Sequence, residues 1–251
     1  MRRKAYIPAV FRPTPRVGPL MEKLVILSDI HANLPALEAV AADVARRGLA
    51  SAPLCFLGDA VNLGPFPAET VQLIRGLKPA FRVRGNHDRY AAEATPRQEL
   101  ERYLHSPEGA DHALWTAAAL TAEDKRWLGS APAAASFRLG GAEFTCFHAS
   151  PESDEVPFKP GSAPGNFLCG HIHSPYSLAF PGGLAVNPGS VGGPLDGNTA
   201  AAYAVVSVNG AVSAEIFRVP YDLDAFSEAM TARRVPWGAA VTAVVRKASF
   251  K

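Results

Sequence analysis

Five of the seven histidines in this 251-residue chain stand in short polar clusters, in the company of aspartate, asparagine and glycine. The clusters are Asp29-Ile30-His31, Gly58-Asp59, Gly85-Asn86-His87-Asp88, His148 and Gly170-His171-Ile172-His173. Leaving His87 and Asp88 aside, they offer four imidazoles, two carboxylates and one amide oxygen, with no thiolate. That mixture suits borderline divalent ions such as Mn, Fe, Co, Ni or Zn. Seven ligands are too many for one catalytic ion and fit two ions that share a carboxylate. Two ions about 3.5–4 Å apart acidify a bound water and clamp both oxygens of an in-line displacement at phosphorus. His171 and His173 do not easily serve one ion from a regular strand, whereas on a turn they can straddle two. In the third cluster Asn86 offers a neutral oxygen ligand and His87 a group that can carry a proton near neutral pH. Asp88 either orients His87 or caps the backbone.

Chemistry at these positions requires strands that end at them. Leu24–Leu27, Leu54–Leu57 and Ala80–Val83 are short apolar runs that read as buried strands, each stopping at or just before a cluster. The glycine at 85 lets the chain turn sharply after the third of them. Asn33-Leu34-Pro35 starts a helix whose Leu34, Leu37, Val40, Ala41 and Val44 recur at helical spacing up to Gly48. After the rigid loop Gly64-Pro65-Phe66-Pro67, Ala68–Gly76 is a second helix. Strand, helix, strand, helix, strand is the pattern of parallel βαβ units, whose ligands bind at the carboxyl ends of the strands. Residues of about 89–130 then form a helical insert, with helices over Gln98–Leu104, Asp111–Leu120 and Thr121–Leu128, the last capped by Thr121. His105 and His112 fall in it, outside any cluster, and read as surface residues; Trp115 and Trp127 read as packing residues. From Ser136 the period becomes that of strands: Phe137–Leu139, Glu143–Phe147, Asn166–Cys169, Tyr176–Phe180, Leu184–Val186, Ala201–Val208 and Ala211–Val219. Gly140-Gly141 and Asn209-Gly210 mark hairpin turns. A final helix, Asp222–Arg233, closes the domain.

Composition bounds the class. A hydrophobic content of 48% and a charged content of 19% are those of a globular protein, and no run approaches the roughly 20 apolar residues of a membrane span. The net charge of +2 conceals an asymmetry: residues 1–20 hold five basic residues and no acid, which leaves 20 basic against 23 acidic residues in the rest. A mildly acidic body argues against a long nucleic acid as partner. The leader carries Pro8, Pro13, Pro15 and Pro19, has no periodicity and reads as disordered, with Met21 an alternative start. The domain proper is then 21–251. Three cysteines without zinc-type spacing indicate a reduced, cytoplasmic chain. Cys55, Cys146 and Cys169 stand two or four residues before Asp59, His148 and His171, on the same strand face, as small apolar residues beneath the site.

In this order the five clusters resemble the calcineurin-like metallophosphoesterase superfamily. The loop Gly58-Asp59-Ala60-Val61-Asn62-Leu63-Gly64-Pro65, together with Asn187-Pro188-Gly189-Ser190, is similar to its small bacterial and archaeal phosphodiesterase branch. The resemblance covers residues of about 22–220. It implies an α/β fold, a four-layer αββα sandwich of two facing mixed sheets. One ion would take Asp29, His31 and His173, the other Asn86, His148 and His171, with Asp59 bridging them. The attacking group would be metal-bound hydroxide, with Mn the first choice of metal. His87 matches the family's phosphate-contacting histidine and would protonate the leaving oxygen. Asn62, Asn187 and Ser190 are candidate substrate contacts. Where many phosphoprotein phosphatases carry Asp-Arg-Gly, this chain has Asn62-Leu63-Gly64. The missing carboxylate and arginine favour a small phosphodiester or nucleotide-like substrate over a phosphoprotein, since a diester carries one charge and a monoester about two. Arg84 either compensates for the missing arginine or is a surface residue. The alternatives are a broad phosphomonoesterase and a catalytically silent scaffold, as in the retromer subunit that resembles this family.

Overall fold

A computed structural model describes residues 23–250. The leader, Met21 and Lys251 lie outside the described residues. Eighteen elements follow one another: β1 (Lys23–Leu27), α1 (Leu34–Arg46), β2 (Leu54–Phe56), α2 (Pro67–Leu77), β3 (Phe81–Arg82), α3 (Asn86–Ala92), α4 (Arg97–Leu104), α5 (Pro107–Ala119), α6 (Ala122–Gly129), β4 (Ala134–Leu139), β5 (Ala142–Phe147), β6 (Gly165–Leu168), β7 (Tyr176–Phe180), β8 (Gly183–Asn187), β9 (Ala201–Asn209), β10 (Ala211–Val219), α7 (Leu223–Ala232) and α8 (Gly238–Lys247). They build two five-stranded mixed sheets, ordered β10-β9-β1-β2-β3 and β4-β5-β6-β8-β7. Parallel β1, β2 and β3 form one side of the first sheet, and antiparallel β9 and β10 complete it.

Period-two alternation decides which sheet face meets what. Leu24, Ile26, Cys55, Leu57, Phe81 and Val83 turn toward the second sheet and pack on Phe137, Phe144, Cys146, Leu168 and Val186. Their neighbours Val25, Leu27, Leu54 and Phe56 face the other way, onto Leu37 and Val40 of α1 and Val71 and Ile74 of α2. Strands buried on both faces have no polar alternation to show, which is why β1 and β2 read as continuous apolar runs. The outer face of the second sheet carries Phe147, Phe167 and Cys169 beneath Phe158, Tyr176 and Phe180. All three cysteines are buried and free.

Local chemistry sets the boundaries. Asn33 caps α1 by accepting from the Ala36 N–H (3.2 Å), and Thr121 and Asp124 form the reciprocal capping box of α6. α5 begins four residues before the expected start, because Ser106 caps it and Pro107 occupies its first turn. Two helices were absent from the sequence reading. Asn86–Ala92 is helical from the asparagine of the third cluster onward, and Asp222–Arg233 does not close the chain. α8 follows it, and its Val241 and Val245, one turn apart, pack on Phe226 and Met230 of α7.

His112 also departs from expectation. His105 is exposed, but His112 is wholly buried, and its Nδ1–H donates to the Pro236 carbonyl (2.8 Å), tying α5 to the α7–α8 turn. Burial holds its pKa down to about 4 against 6.5. A base depressed in the folded state contributes stability above pH 6.5 that is lost as pH falls toward 4. Between pH 7.5 and 4.5 the wild type is expected to lose about 2.5 kcal/mol more unfolding free energy than His112→Gln in urea titrations. Equal pH slopes would refute it.

Candidate metal centre

The clusters meet at one end of the two sheets because the loops that carry them are tied backbone to backbone. Asp29 N–H donates to Gly58 O (3.0 Å), Ile30 N–H to Asp59 O (2.8 Å) and Gly170 N–H to His148 O (2.7 Å). The second and third loops touch without room for a side chain. A Cβ on Gly58 would stand 2.4 Å from Gly85 N, and one on Gly85 would stand 2.0 Å from Asp59 Oδ1. Asp88 closes this junction, its carboxylate accepting from the N–H groups of Asp59 (2.9 Å), Ala60 (2.9 Å) and Gly85 (3.3 Å). That resolves its role: Asp88 caps backbone. Burial, with Asp59 nearby, raises its pKa to about 7.

The backbone at the clusters is unusual. Asp29 (φ 54°), His31 (50°), Asp59 (60°), His171 (70°) and His173 (58°) all occupy the left-handed region, which side chains other than glycine visit seldom and at a cost of about 1 kcal/mol or more each. Strain of this kind persists only where surrounding structure over-determines it, and here it turns each side chain inward from a strand end.

Asp29, His31 and His173 place one ligand atom each within 4.8 Å of one another, as do Asp29, Asp59 and His148, and His31, Asp59 and His87. His31 Nδ1 faces Val61 O (3.3 Å), His148 Nδ1 faces Leu57 O (2.8 Å) and His173 Nδ1 faces Gly193 O (2.6 Å). Carbonyls only accept, so each Nδ1 carries a proton and each Nε2 is the ring atom turned toward the centre. His31 and His173 bring their Nε2 atoms within 2.9 Å of each other. Asp29 Oδ1 is buried with no hydrogen-bond partner, and the Nε2 atoms of His173, His31 and His148 lie 3.4, 3.8 and 3.9 Å from it. An orphaned carboxylate oxygen facing converging imidazole Nε2 atoms is a donor set that fits a divalent cation.

Around the second position, His148 Nε2 lies 3.3 Å from Asp59 Oδ2 and 3.1 Å from Asn86 Oδ1. Asp59 uses its other oxygen to accept from His87 N–H (2.9 Å). His171 is half-buried, donates its backbone N–H to Asp29 Oδ2 (2.9 Å), and sets its ring edge-on to His148 with centroids 5.2 Å apart. The electrostatics follow from burial of opposite charges together. Burial alone would raise Asp29 and Asp59, but the facing histidines, led by His173 for Asp29 and His148 for Asp59, hold both carboxyls well below the usual range. Burial pushes His31 down to about 3, while Asp59 overcomes burial at His148 and raises it to about 10.

The remaining candidates divide. Asn62 Nδ2 donates to His87 Nδ1 (2.6 Å) while its Oδ1 accepts from Thr116 of α5 (3.3 Å), so Asn62 lies behind His87. Asn187 and Ser190 are fully buried. Asn187 spans Gly170 O and Gly189 N, and Ser190 donates to Asp29 O (2.7 Å). The structure thus places both beneath the ligand loops. Arg84 pairs with Glu93 (2.8 Å). Thr116 and Tyr90 were not singled out from the sequence. Tyr90 lies one helical turn after Asn86, a signal readable only once α3 is known; Thr116 comes from the insert with no local motif.

Comparison with known proteins gives the family. An uncharacterised protein of Methanocaldococcus jannaschii is 30% identical over 239 residues, spanning 85% of this chain and 93% of that protein. The crystal structure of a metallophosphoesterase from Sphaerobacter thermophilus is 26% identical, covers 90% of this chain and 99% of its own, and has a TM-score of 0.72. That of a hypothetical protein from Pyrococcus horikoshii shares the fold, with a TM-score of 0.78 at 19% identity over 89% and 97% of the two chains. Residues 22–211 match the calcineurin-like phosphoesterase superfamily domain, and since all five clusters lie within that span, the chain belongs to this superfamily.

Proposed function

We propose that this chain hydrolyses phosphodiester bonds of a small or nucleotide-like substrate at a centre of two divalent ions. Asp29 Oδ1, buried and without a hydrogen-bond partner among three inward Nε2 atoms, carries the reading. Asp29, His31 and His173 would hold one ion, Asn86, His148 and His171 the other, and Asp59 both. Bound there, the ions would supply an acidified water and neutralise charge at phosphorus. Nitrogen and oxygen donors without thiolate suit Mn²⁺.

The chain's own groups supply the rest. Because the Asn62 amide donates to His87 Nδ1, the ring proton of His87 sits on Nε2, where it assists the leaving oxygen. Asn62 and Thr116 position that ring, and Asn187 and Ser190 brace the Gly170 and Asp29 loops. Diester preference is supported by the pairing of nearby arginines: Arg84 is engaged by Glu93, and Arg89 by Asp154 and Glu155. A singly charged diester needs fewer cationic clamps than a monoester. No helix among the described residues is long and apolar enough to cross a membrane, and three free buried cysteines suit a reducing compartment such as the cytoplasm.

The test is hydrolysis of bis-p-nitrophenyl phosphate against p-nitrophenyl phosphate with added Mn²⁺. Metal-dependent diester cleavage that falls about 10²–10⁴-fold in His87→Ala is the expected result. Faster monoester cleavage would replace the diester assignment with a phosphomonoesterase. Cleavage of neither by metal-loaded protein would point to the silent scaffold.

A further inference from the structure

One ligand of the second metal position is an amide, and an amide has a wrong way round. Turned by 180°, Asn86 would present its NH₂ group to the ion in place of its oxygen, so something must fix the side chain before the metal arrives. The structure contains such a device. Asn86 and Tyr90 are four residues apart on α3 and share a face. Asn86 Nδ2 lies 3.3 Å from the Tyr90 hydroxyl, and that hydroxyl lies 2.7 Å from Glu155 Oε1. The direction of both bonds follows from chemistry alone. A carboxylate only accepts, so Tyr90 donates its single proton to Glu155 and is left as an acceptor toward Asn86. The Asn86 group facing Tyr90 must then be the donor, NH₂. Its oxygen therefore faces the centre, where it is found 3.1 Å from His148 Nε2.

Glu155 is itself held. Arg89 Nη2 donates to Glu155 Oε1 (2.7 Å), and the same guanidinium binds both oxygens of Asp154 (2.7 and 3.1 Å). Asp154 and Glu155 lie in the loop that leaves β5 just after His148. The segment that delivers one ligand, His148, thus turns back to fix the orientation of another, Asn86. We propose that Tyr90 and Glu155 are positioning residues for the Asn86–His148 metal position. They lock the amide oxygen inward and make the loop after His148 part of that position's affinity. The proposal rests on the two-metal reading given above.

The experiment is a calorimetric titration of metal-free protein with Mn²⁺. Tyr90→Phe removes the hydroxyl and keeps the ring stacked on Tyr103, whose centroid is 5.4 Å away. Wild-type protein is expected to show two binding events, and Tyr90→Phe to weaken one of them about 10–100-fold, the range for loss of a group that orients a ligand. Glu155→Gln is expected to weaken the same event, since an amide can donate to the hydroxyl and reverse the relay. In the Asn86→Ala background Tyr90→Phe should add nothing. Equal weakening of both events, an unchanged affinity, or an undiminished Tyr90→Phe effect without Asn86 would overturn the proposal. Thermal melts of each variant separate these results from misfolding. If the wild type binds no Mn²⁺ at all, the two-metal reading fails by itself. The orientation is then read from the Asn86 side-chain amide protons by NMR: protected from exchange in the wild type and unprotected in Tyr90→Phe if the relay exists, indistinguishable between the two if it does not.

Discussion

Asp59→Asn is expected to lower Mn²⁺-dependent phosphoester hydrolysis by at least about a thousand-fold while leaving the fold intact. The substitution is nearly isosteric and keeps what Asp59 does structurally. Its Oδ1 can still accept from His87 N–H, and its backbone still receives the Asp88 carboxylate. What disappears is the negative charge 3.3 Å from His148 Nε2 and 3.8 Å from His31 Nε2, at the point common to both groups of ligands. As the proposed shared ligand, Asp59 serves both ions, and charge stabilisation by metal at phosphorus is worth several kcal/mol, with each 1.36 kcal/mol a factor of ten in rate. The measurement is kcat on bis-p-nitrophenyl phosphate beside a circular-dichroism melt and Mn²⁺ content. A variant with near wild-type kcat and full metal would remove Asp59 from the centre. A variant that loses activity because it unfolds would leave the charge argument without support, and the melt separates that case.

Chelation is expected to lower the thermal midpoint of the metal-loaded protein by about 10–20 °C. An ion present at about 100 times its Kd adds about 2.7 kcal/mol to unfolding free energy, and two add about 5. In a chain of this size each kcal/mol moves the midpoint by about 2–4 °C. The structure gives the reason that loss should be felt in the fold and not only in the rate. Without cations the centre retains two carboxylates in contact with buried imidazoles, an unpaired Asp29 Oδ1, and five proposed ligands in left-handed backbone. Differential scanning calorimetry with and without EDTA, followed by restoration with Mn²⁺, is the check. A midpoint unmoved by both would mean that the end of the sandwich is self-sufficient and the ligand reading is wrong.

How much of this could be read before any coordinates is decided by the range of the interactions involved. The first strands and their clusters are legible because each is a local pattern: an apolar run, then donors, with glycine between them at Gly58 and Gly85. Strand β9 and its hairpin with β10 are announced by Asn209-Gly210. The Asn86 helix is not, because its seven residues begin with the polar cluster itself, and polar residues at a strand end look like a loop. α8 is hidden by valines that suit a strand as well as a helix and acquire meaning only against Phe226 and Met230. His112 fails for a related reason, since its partner is the carbonyl of Pro236, 124 residues away. Asn187 and Ser190 stand in a glycine-containing turn that reads equally as a candidate substrate contact, and their bonds to Gly170 O and Asp29 O depend on a loop packing that spacing does not encode. Nothing in the sequence marks Glu155, which becomes visible only as the acceptor of Tyr90.

The position of β9 bears on how the chain is made. It lies between β10 and β1, pairing Lys23 with Ser207 and Ile26 with Ala204, so an interior position of the first sheet is filled by nearly the last strand to be synthesised. A ribosome that has released residues up to Leu195 has already delivered every proposed ligand, from Asp29 to His173. At that moment β1 still has a bare edge, and the Ser190 carbonyl still lacks the Ala202 N–H that anchors the brace on Asp29. Closure of a strand pair almost 180 residues apart in sequence is the slow kind of folding step, and until it happens the nascent protein carries an unpaired edge open to association with its neighbours.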